Sequence, residues 1–120
     1  MQAFLRSFRH AFAGIAYVMR TQRNARVHLA IACAVVAAGI YFRVSAVEWA
    51  VLALTMGVVF SAEMFNTVTE LTVDLITQDY HPMAKIAKDV GAGAVLVAAI
   101  AAVSVGVAIF GPRVWVLFRF

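Results

Sequence analysis

Residues 48–76 read EWAVLALTMGVVFSAEMFNTVTELTVDLI, and this stretch decides the fold. From Trp49 to Ala62 it holds no charged residue. Acids then enter at Glu63, Glu70 and Asp74, with an amide at Asn66. At 100° per residue the four fall within roughly 80° of one another, so on a helix they share a face. Met64, Phe65, Val68, Leu71 and Val73 keep the other positions mostly apolar. Charged groups inside an apolar helix are expensive to bury, which makes them functional candidates by default. If Trp49 marks the outer surface, Glu63 lies about 21 Å further in at 1.5 Å per residue. That depth falls in the inner leaflet of a hydrocarbon layer about 30 Å thick. Glu70 and Asp74 then reach the inner interface, so the row runs from water to the level of a lipid hydroxyl.

Composition supports a bilayer as the solvent. The chain has 120 residues, 64% hydrophobic and 13% charged. A soluble domain carries roughly 25% charged residues, and one this small could not hide so much apolar surface. The length suits a single domain spanning residues 1–120. On the C-terminal side, Val90 to Gly111 is an uncharged run with Ser104 as its main polar group, and Gly111-Pro112 marks its end. On the N-terminal side, Leu29 to Phe42 is uncharged and extends back through Val27 and His28. The expected spans are therefore 27–43, 48–76 and 82–111.

Residues 2–20 read as an amphipathic helix, part of an interfacial segment over 1–26. Phe4, Leu5, Phe8, Phe12, Ile15 and Met19 gather on one side. Arg6, Arg9, His10 and Arg20 lie opposite. A basic face opposite an aromatic one suits a helix lying in the membrane surface. A signal peptide would have a continuous apolar run instead, and a soluble packing helix would need a core to cover. The fold class is all-α integral membrane, with an N-terminal surface helix and three spans.

Seven of the ten basic residues lie in the N-terminal segment and the 75–89 loop; Arg43, Arg113 and Arg119 lie on the other side. The positive-inside rule then places the N-terminus in the cytoplasm and the C-terminus outside. Tyr41, Phe42, Trp49 and Trp115 fall near the outer interface, where aromatic side chains gather. The net charge of +4 fits anionic lipid rather than nucleic acid in so apolar a chain. Cys33 is alone and reads as a small hydrophobe. His10, His28 and His81 have no metal-ligand spacing, and each reads as an interfacial or capping histidine. Ala94, Ala98, Ala102 and Gly106 recur every four positions, a row that lets helices approach closely.

Basic partners for the acids come from DYHPMAKIAKDVGAG, residues 79–93. Pro82 suits a first helical turn. Lys85, Lys88 and Asp89 can then cluster on adjoining faces. Acids, an amide and lysines at an inner membrane surface fit phosphoryl transfer, which needs a divalent cation, positive charge on the transferring group and a base. Glu70 is the natural Mg2+ ligand, because magnesium takes oxygen ligands and few protein carboxylates. Glu63 is the natural base, being the acid placed beside the lipid hydroxyl. No GxxxxGK[ST] phosphate loop is present, so ATP must be bound in another way. A polar stripe that only glues helices together is the competing reading of the row.

EMFNTVTELTVDLI (63–76) followed by HPMAKIAKDVGAGAVL (81–96) resembles the prokaryotic diacylglycerol kinase family, and most closely its undecaprenol kinase branch. TQRNARVH (21–28) and the Glu48-Trp49 pair extend the likeness over most of the chain. The resemblance implies a homotrimeric membrane kinase using Mg-ATP, with sites formed between subunits near the cytoplasmic surface of the plasma (inner) membrane. It implies Glu63 as catalytic base, Asn66 as a polar site residue, Glu70 on the metal and Asp74 in support. Lys88 would contact nucleotide phosphates, with Asp89 close by, and Arg26 and Gln22 would face the nucleotide. Gln22 departs from the family pattern, where a glutamate helps hold the metal; an amide offers an oxygen with less charge. The acceptor implied is undecaprenol, with diacylglycerol as the alternative. A small transporter would carry its acids near the midplane on a path to both sides, whereas this row reaches one side. A non-catalytic assembly subunit would use the row for packing alone.

Overall fold

The computed structural model describes residues 1–119, and among them every regular element is helical. Four helices follow in order: α1 (Gln2–Thr21), α2 (Arg23–Tyr41), α3 (Ala46–Ile76) and α4 (Pro82–Leu117). The last three are long and apolar enough to cross a membrane. At 1.5 Å per residue α3 and α4 measure about 46 and 54 Å, so both overrun the hydrocarbon and project beyond it. This is a multi-pass membrane protein.

Local chemistry explains each boundary. Ser45 and Glu48 form a reciprocal capping box at the start of α3: the Ser45 hydroxyl accepts from the Glu48 N–H, and the Glu48 carboxylate accepts from the Ser45 N–H. His81 caps α4 by accepting the Met83 N–H at Nδ1, and Pro82 occupies the first turn, where its missing donor costs nothing. Helix α2 ends in paired bonds from Arg43 N to the Ile40 carbonyl and from Val44 N to the Gly39 carbonyl. That wrap puts Arg43 in the left-handed region, at φ 52°.

The expected end of the first span and start of the second each move by two residues, and two boundaries move further. The interfacial segment does not run unbroken to residue 26: Gln22 is extended, so α1 stops at Thr21 and α2 starts at Arg23, four residues before the expected span. The joint is a single residue, bridged by Arg26 Nη1 donating to the Arg20 carbonyl at 3.1 Å. Helix α4 does not end at Gly111-Pro112 but continues to Leu117. Proline removes one backbone donor, and membrane helices tolerate this when nearby side chains satisfy the freed carbonyls. Here Arg113 Nη1 donates to the Ile109 carbonyl, next to the Ala108 carbonyl that Pro112 leaves without its i−4 donor. Its Nη2 reaches Glu48 at 2.9 Å, tying the end of α4 to the start of α3.

Helices α3 and α4 form the main pair, with α2 against α3 and α1 against the α2–α3 corner. The buried core is small, and its main cluster is Val44, Leu52 and Ile109, packed by Val35, Phe42, Trp49, Met56, Val105 and Phe110. Gly39 admits the Trp49 ring so closely that an added Cβ would lie 2.6 Å from it. Of the row of small residues on α4, Ala98 is buried, while Ala94 is exposed. The molecule measures 59 × 44 × 21 Å with a radius of gyration of 17.9 Å, against about 14 Å for a compact chain of this length. It is flat and open, and its large apolar side chains mostly point outward.

Candidate active site

The polar row of α3 lies where the periodicity places it, along one face. Glu63, Asn66 and Thr67 are the buried polar residues among those described. Glu63 is 2% exposed and Asn66 8%. Asn66 Nδ2 donates to Glu70 Oε1 at 3.0 Å, one turn further toward the α3 C-terminus. The Thr67 hydroxyl donates to its own helix, at the Glu63 carbonyl. Two buried acceptors, Glu63 Oε1 and Asn66 Oδ1, have no hydrogen-bond partner. Orphaned buried acceptors cost stability, and such groups call for a functional reason.

Gly91 explains how Asn66 comes to be enclosed. A Cβ on residue 91 would stand 2.6 Å from Asn66 Oδ1, so glycine is what lets α4 close over the amide. Below this point the row opens to water. Lys88 Nζ meets Asp74 Oδ1 at 2.6 Å across the α3–α4 groove, and Lys85 Nζ meets Asp89 Oδ2 at 2.5 Å along α4. These groups line a polar cleft with Thr77, Gln78 and His81. The structure therefore brings together Glu63, Asn66 and Glu70 along one helix, and Asp74 with Lys88 across two. Asp89 binds Lys85 rather than joining that pair. Gln22 and Arg26 sit at the α1–α2 joint, with the Arg26 guanidinium on the Arg20 carbonyl.

One contact was not legible in the sequence. His28 Nε2 approaches Glu63 Oε1 to 3.3 Å. The expectation of an interfacial or capping histidine holds for His81, which caps α4. It fails for His28, which faces the deepest acid of the row. The signal was present: His28 is the one histidine, lysine, arginine or acid between Val27 and Phe42, and such a residue in a span is a functional candidate. Beyond His28 lies an apolar groove of about 200 Å³ between α2, α3 and α4, lined also by Ile31, Val35, Val59 and Ala102.

The donor set suits a hard cation in part. Carboxylate and amide oxygens at Glu70, Asp74 and Asn66 are the ligand type that magnesium takes, and the unpartnered Asn66 Oδ1 is a free acceptor among them. Among the described residues no three acidic, histidine or cysteine side chains converge into a complete metal cage. Magnesium needs no such cage when substrate phosphates and water complete its shell.

Buried acid, amide and carboxylate descending one membrane helix to a lysine–aspartate pair at its wet end describe a membrane enzyme that handles a lipid and a charged soluble substrate together. Comparison with known proteins specifies the group. The family model of prokaryotic diacylglycerol kinase matches residues 9–110. The undecaprenol kinase of Bacillus subtilis (strain 168) is 46% identical over 113 residues, covering 94% of this chain and 92% of that protein. A diacylglycerol kinase of Synechocystis sp. (strain ATCC 27184 / PCC 6803 / Kazusa) is 52% identical over 101 residues, 83% of this chain and 58% of that longer protein. The chain belongs to the prokaryotic diacylglycerol kinase family, whose members are lipid kinases.

Proposed function

We propose that this protein transfers the γ-phosphate of ATP to the hydroxyl of undecaprenol at the cytoplasmic face of the plasma (inner) membrane. The observation that carries the reading is Glu63. It is an acid buried at 2% exposure, with an unpaired carboxylate oxygen, at the head of a polar row that ends on an exposed lysine. Undecaprenol is favoured as acceptor because the undecaprenol kinase relative matches over 92% of its length and 94% of this chain. Diacylglycerol is the second reading, favoured by the higher identity of the diacylglycerol kinase relative over a shorter match.

In this mechanism the acceptor hydroxyl lies beside Glu63 with its chain in the apolar layer. Glu63 takes the hydroxyl proton as the oxygen forms its bond to the γ-phosphorus and the bond to ADP breaks. Lys88 exchanges its Asp74 partner for phosphate oxygens and places positive charge on the transferring group. Asp74 holds Lys88 ready until then, and Asp89 steadies Lys85 at the same cleft. Asn66 orients Glu70 through its Nδ2–H. Magnesium would be held by Glu70, with Gln22 as a weaker oxygen donor, and would neutralise phosphate charge. Gln22 and Arg26 flank the nucleotide from the α1–α2 joint. Most of the catalytic gain comes from positioning and charge.

The chain works as a homotrimer in this proposal, since one flat chain of 59 × 44 × 21 Å does not enclose two substrates. Helix α1, with Phe4, Phe8 and Phe12 exposed, lies in the inner interface. The N-terminus is cytoplasmic and the C-terminus outside, following the basic residues.

The test is phosphate transfer from γ-labelled ATP in mixed micelles, with undecaprenol and diacylglycerol offered separately, with and without magnesium. Magnesium-dependent labelling of undecaprenol, abolished in Glu63→Gln while ATP binding persists, is the expected result. Labelling of diacylglycerol alone would overturn the acceptor, and full activity of Glu63→Gln would overturn the base.

A further inference from the structure

Glu63 has a neighbour that the mechanism above leaves without a task. His28 comes from α2, near the end that meets α1, and its Nε2 lies 3.3 Å from Glu63 Oε1. The approach is off line, so Oε1 is left without a hydrogen bond in a site that is almost fully buried. The His28 side chain is 18% exposed and lines the inner end of the apolar groove. It therefore adjoins both the groove and the acid.

A glutamate carboxylate turns freely about its last bond, where the torsional wells are broad. Only a donor sets which oxygen points where. The nearby donors on α3 are already committed. Asn66 Nδ2 donates to Glu70, and the Thr67 hydroxyl donates to the Glu63 backbone carbonyl, not to the carboxylate. His28 is the side chain seen within reach of the carboxylate from another helix. Hydrogen bonds at a catalytic site are often long or poorly aligned before substrate binds, and tighten when it does.

We infer that His28 is the positioning residue of the base: its Nε2–H holds Glu63 Oε1 and so presents Oε2 to the acceptor hydroxyl at the inner end of the apolar groove. This rests on the reading of Glu63 as the base. The imidazole takes no proton from the substrate. It fixes the plane of the carboxylate and closes the apolar groove with a polar lip where the lipid chain gives way to its hydroxyl.

The experiment uses the full chain in mixed micelles and compares His28→Leu with His28→Gln. Leucine fills the space without a donor, and glutamine can place an amide N–H near the position of Nε2. Helical signal, elution volume and the KM for ATP verify that each variant is folded. Wild type must first phosphorylate the lipid; if it does not, the kinase reading fails before His28 is tested. Given an active wild type, His28→Leu should lose about 10–100-fold in kcat, the scale of a misplaced reacting group, with the KM for ATP unchanged. His28→Gln should recover at least half of that loss on a logarithmic scale. Wild-type turnover in His28→Leu would overturn the inference, as would equal loss in both folded variants. A rise in the KM for ATP that accounts for the whole defect would overturn it too, by making His28 a structural residue.

Discussion

Replacing Gly91 with alanine adds one methyl group at the tightest point of the α3–α4 contact. Its Cβ would fall 2.6 Å from Asn66 Oδ1, which is 0.8 Å inside the 3.4 Å at which ordinary contact begins. Asn66 must retreat by about that much, because Thr69 Cβ at 3.6 Å closes the other side. The amide cannot move alone, since its Nδ2 is bonded to Glu70 at 3.0 Å. Overpacking costs about 1–3 kcal/mol, and alanine returns roughly 0.5–1 kcal/mol over glycine in a helix. Net destabilisation should therefore be modest, about 0–2.5 kcal/mol. Turnover should suffer more, by about 10–100-fold, because a shift near 1 Å in a site group can cost that much. The assay is steady-state kinase turnover set beside thermal loss of helical signal in the same micelle. Gly93→Ala is the control: nothing lies within 4 Å of its Cβ, so activity should hold. Wild-type turnover in Gly91→Ala would refute the claim that this glycine encloses Asn66 for the sake of Glu70.

Three further outcomes are expected. Glu70→Gln should raise the magnesium concentration needed for half-maximal activity by at least about tenfold while leaving helical content intact, because one ligand loses its charge; a magnesium titration reads this directly. Gly39→Ala should destabilise the protein by about 1–3 kcal/mol, since its Cβ would strike the Trp49 ring at 2.6 Å, and a thermal melt with Trp fluorescence would follow it. Arg43→Gly should stabilise by about 1 kcal/mol, because glycine takes the left-handed turn at φ 52° without strain; a higher melting temperature at unchanged turnover is the expected readout.

The acidic face of α3 was legible because it depends only on the period of one helix. Spacing alone puts Glu63, Asn66, Glu70 and Asp74 together, whatever packs against them. The start of α4 was legible for a similar reason, since Pro82 acts within one turn of its own backbone; α3 starts at Ala46, two residues before the expected Glu48, because Ser45 caps it. The His28–Glu63 contact was not, since it joins two helices and depends on how they cross. Pro112 misled because its use as a stop signal comes from helices in water. In lipid the helix has nowhere better to put its carbonyls, and Arg113 adds a donor at Ile109, beside the carbonyl that Pro112 frees. The break at Gln22 was hidden inside a stretch of good helix formers. No glycine or proline marks it, and only the folded backbone shows Gln22 extended at φ −96° and ψ 117°.

The outward-facing apolar side chains have a mechanical consequence. With Val44, Leu52 and Ile109 as the central cluster and few other side chains buried, little of this protein's cohesion is internal. Its helices are upheld by their own backbone ladders and by what packs on them from outside, lipid and, in the proposed trimer, neighbouring subunits. Lateral pressure, acyl length and headgroup spacing therefore take the place that a packed interior holds in a soluble enzyme. Two preparations of the same chain in lipids of different thickness are, in that sense, two differently tensioned molecules. The distance from Glu63 to the wet end of the polar row, about 16 Å along the helix from residue 63 to residue 74, is the span over which that tension would be felt as chemistry.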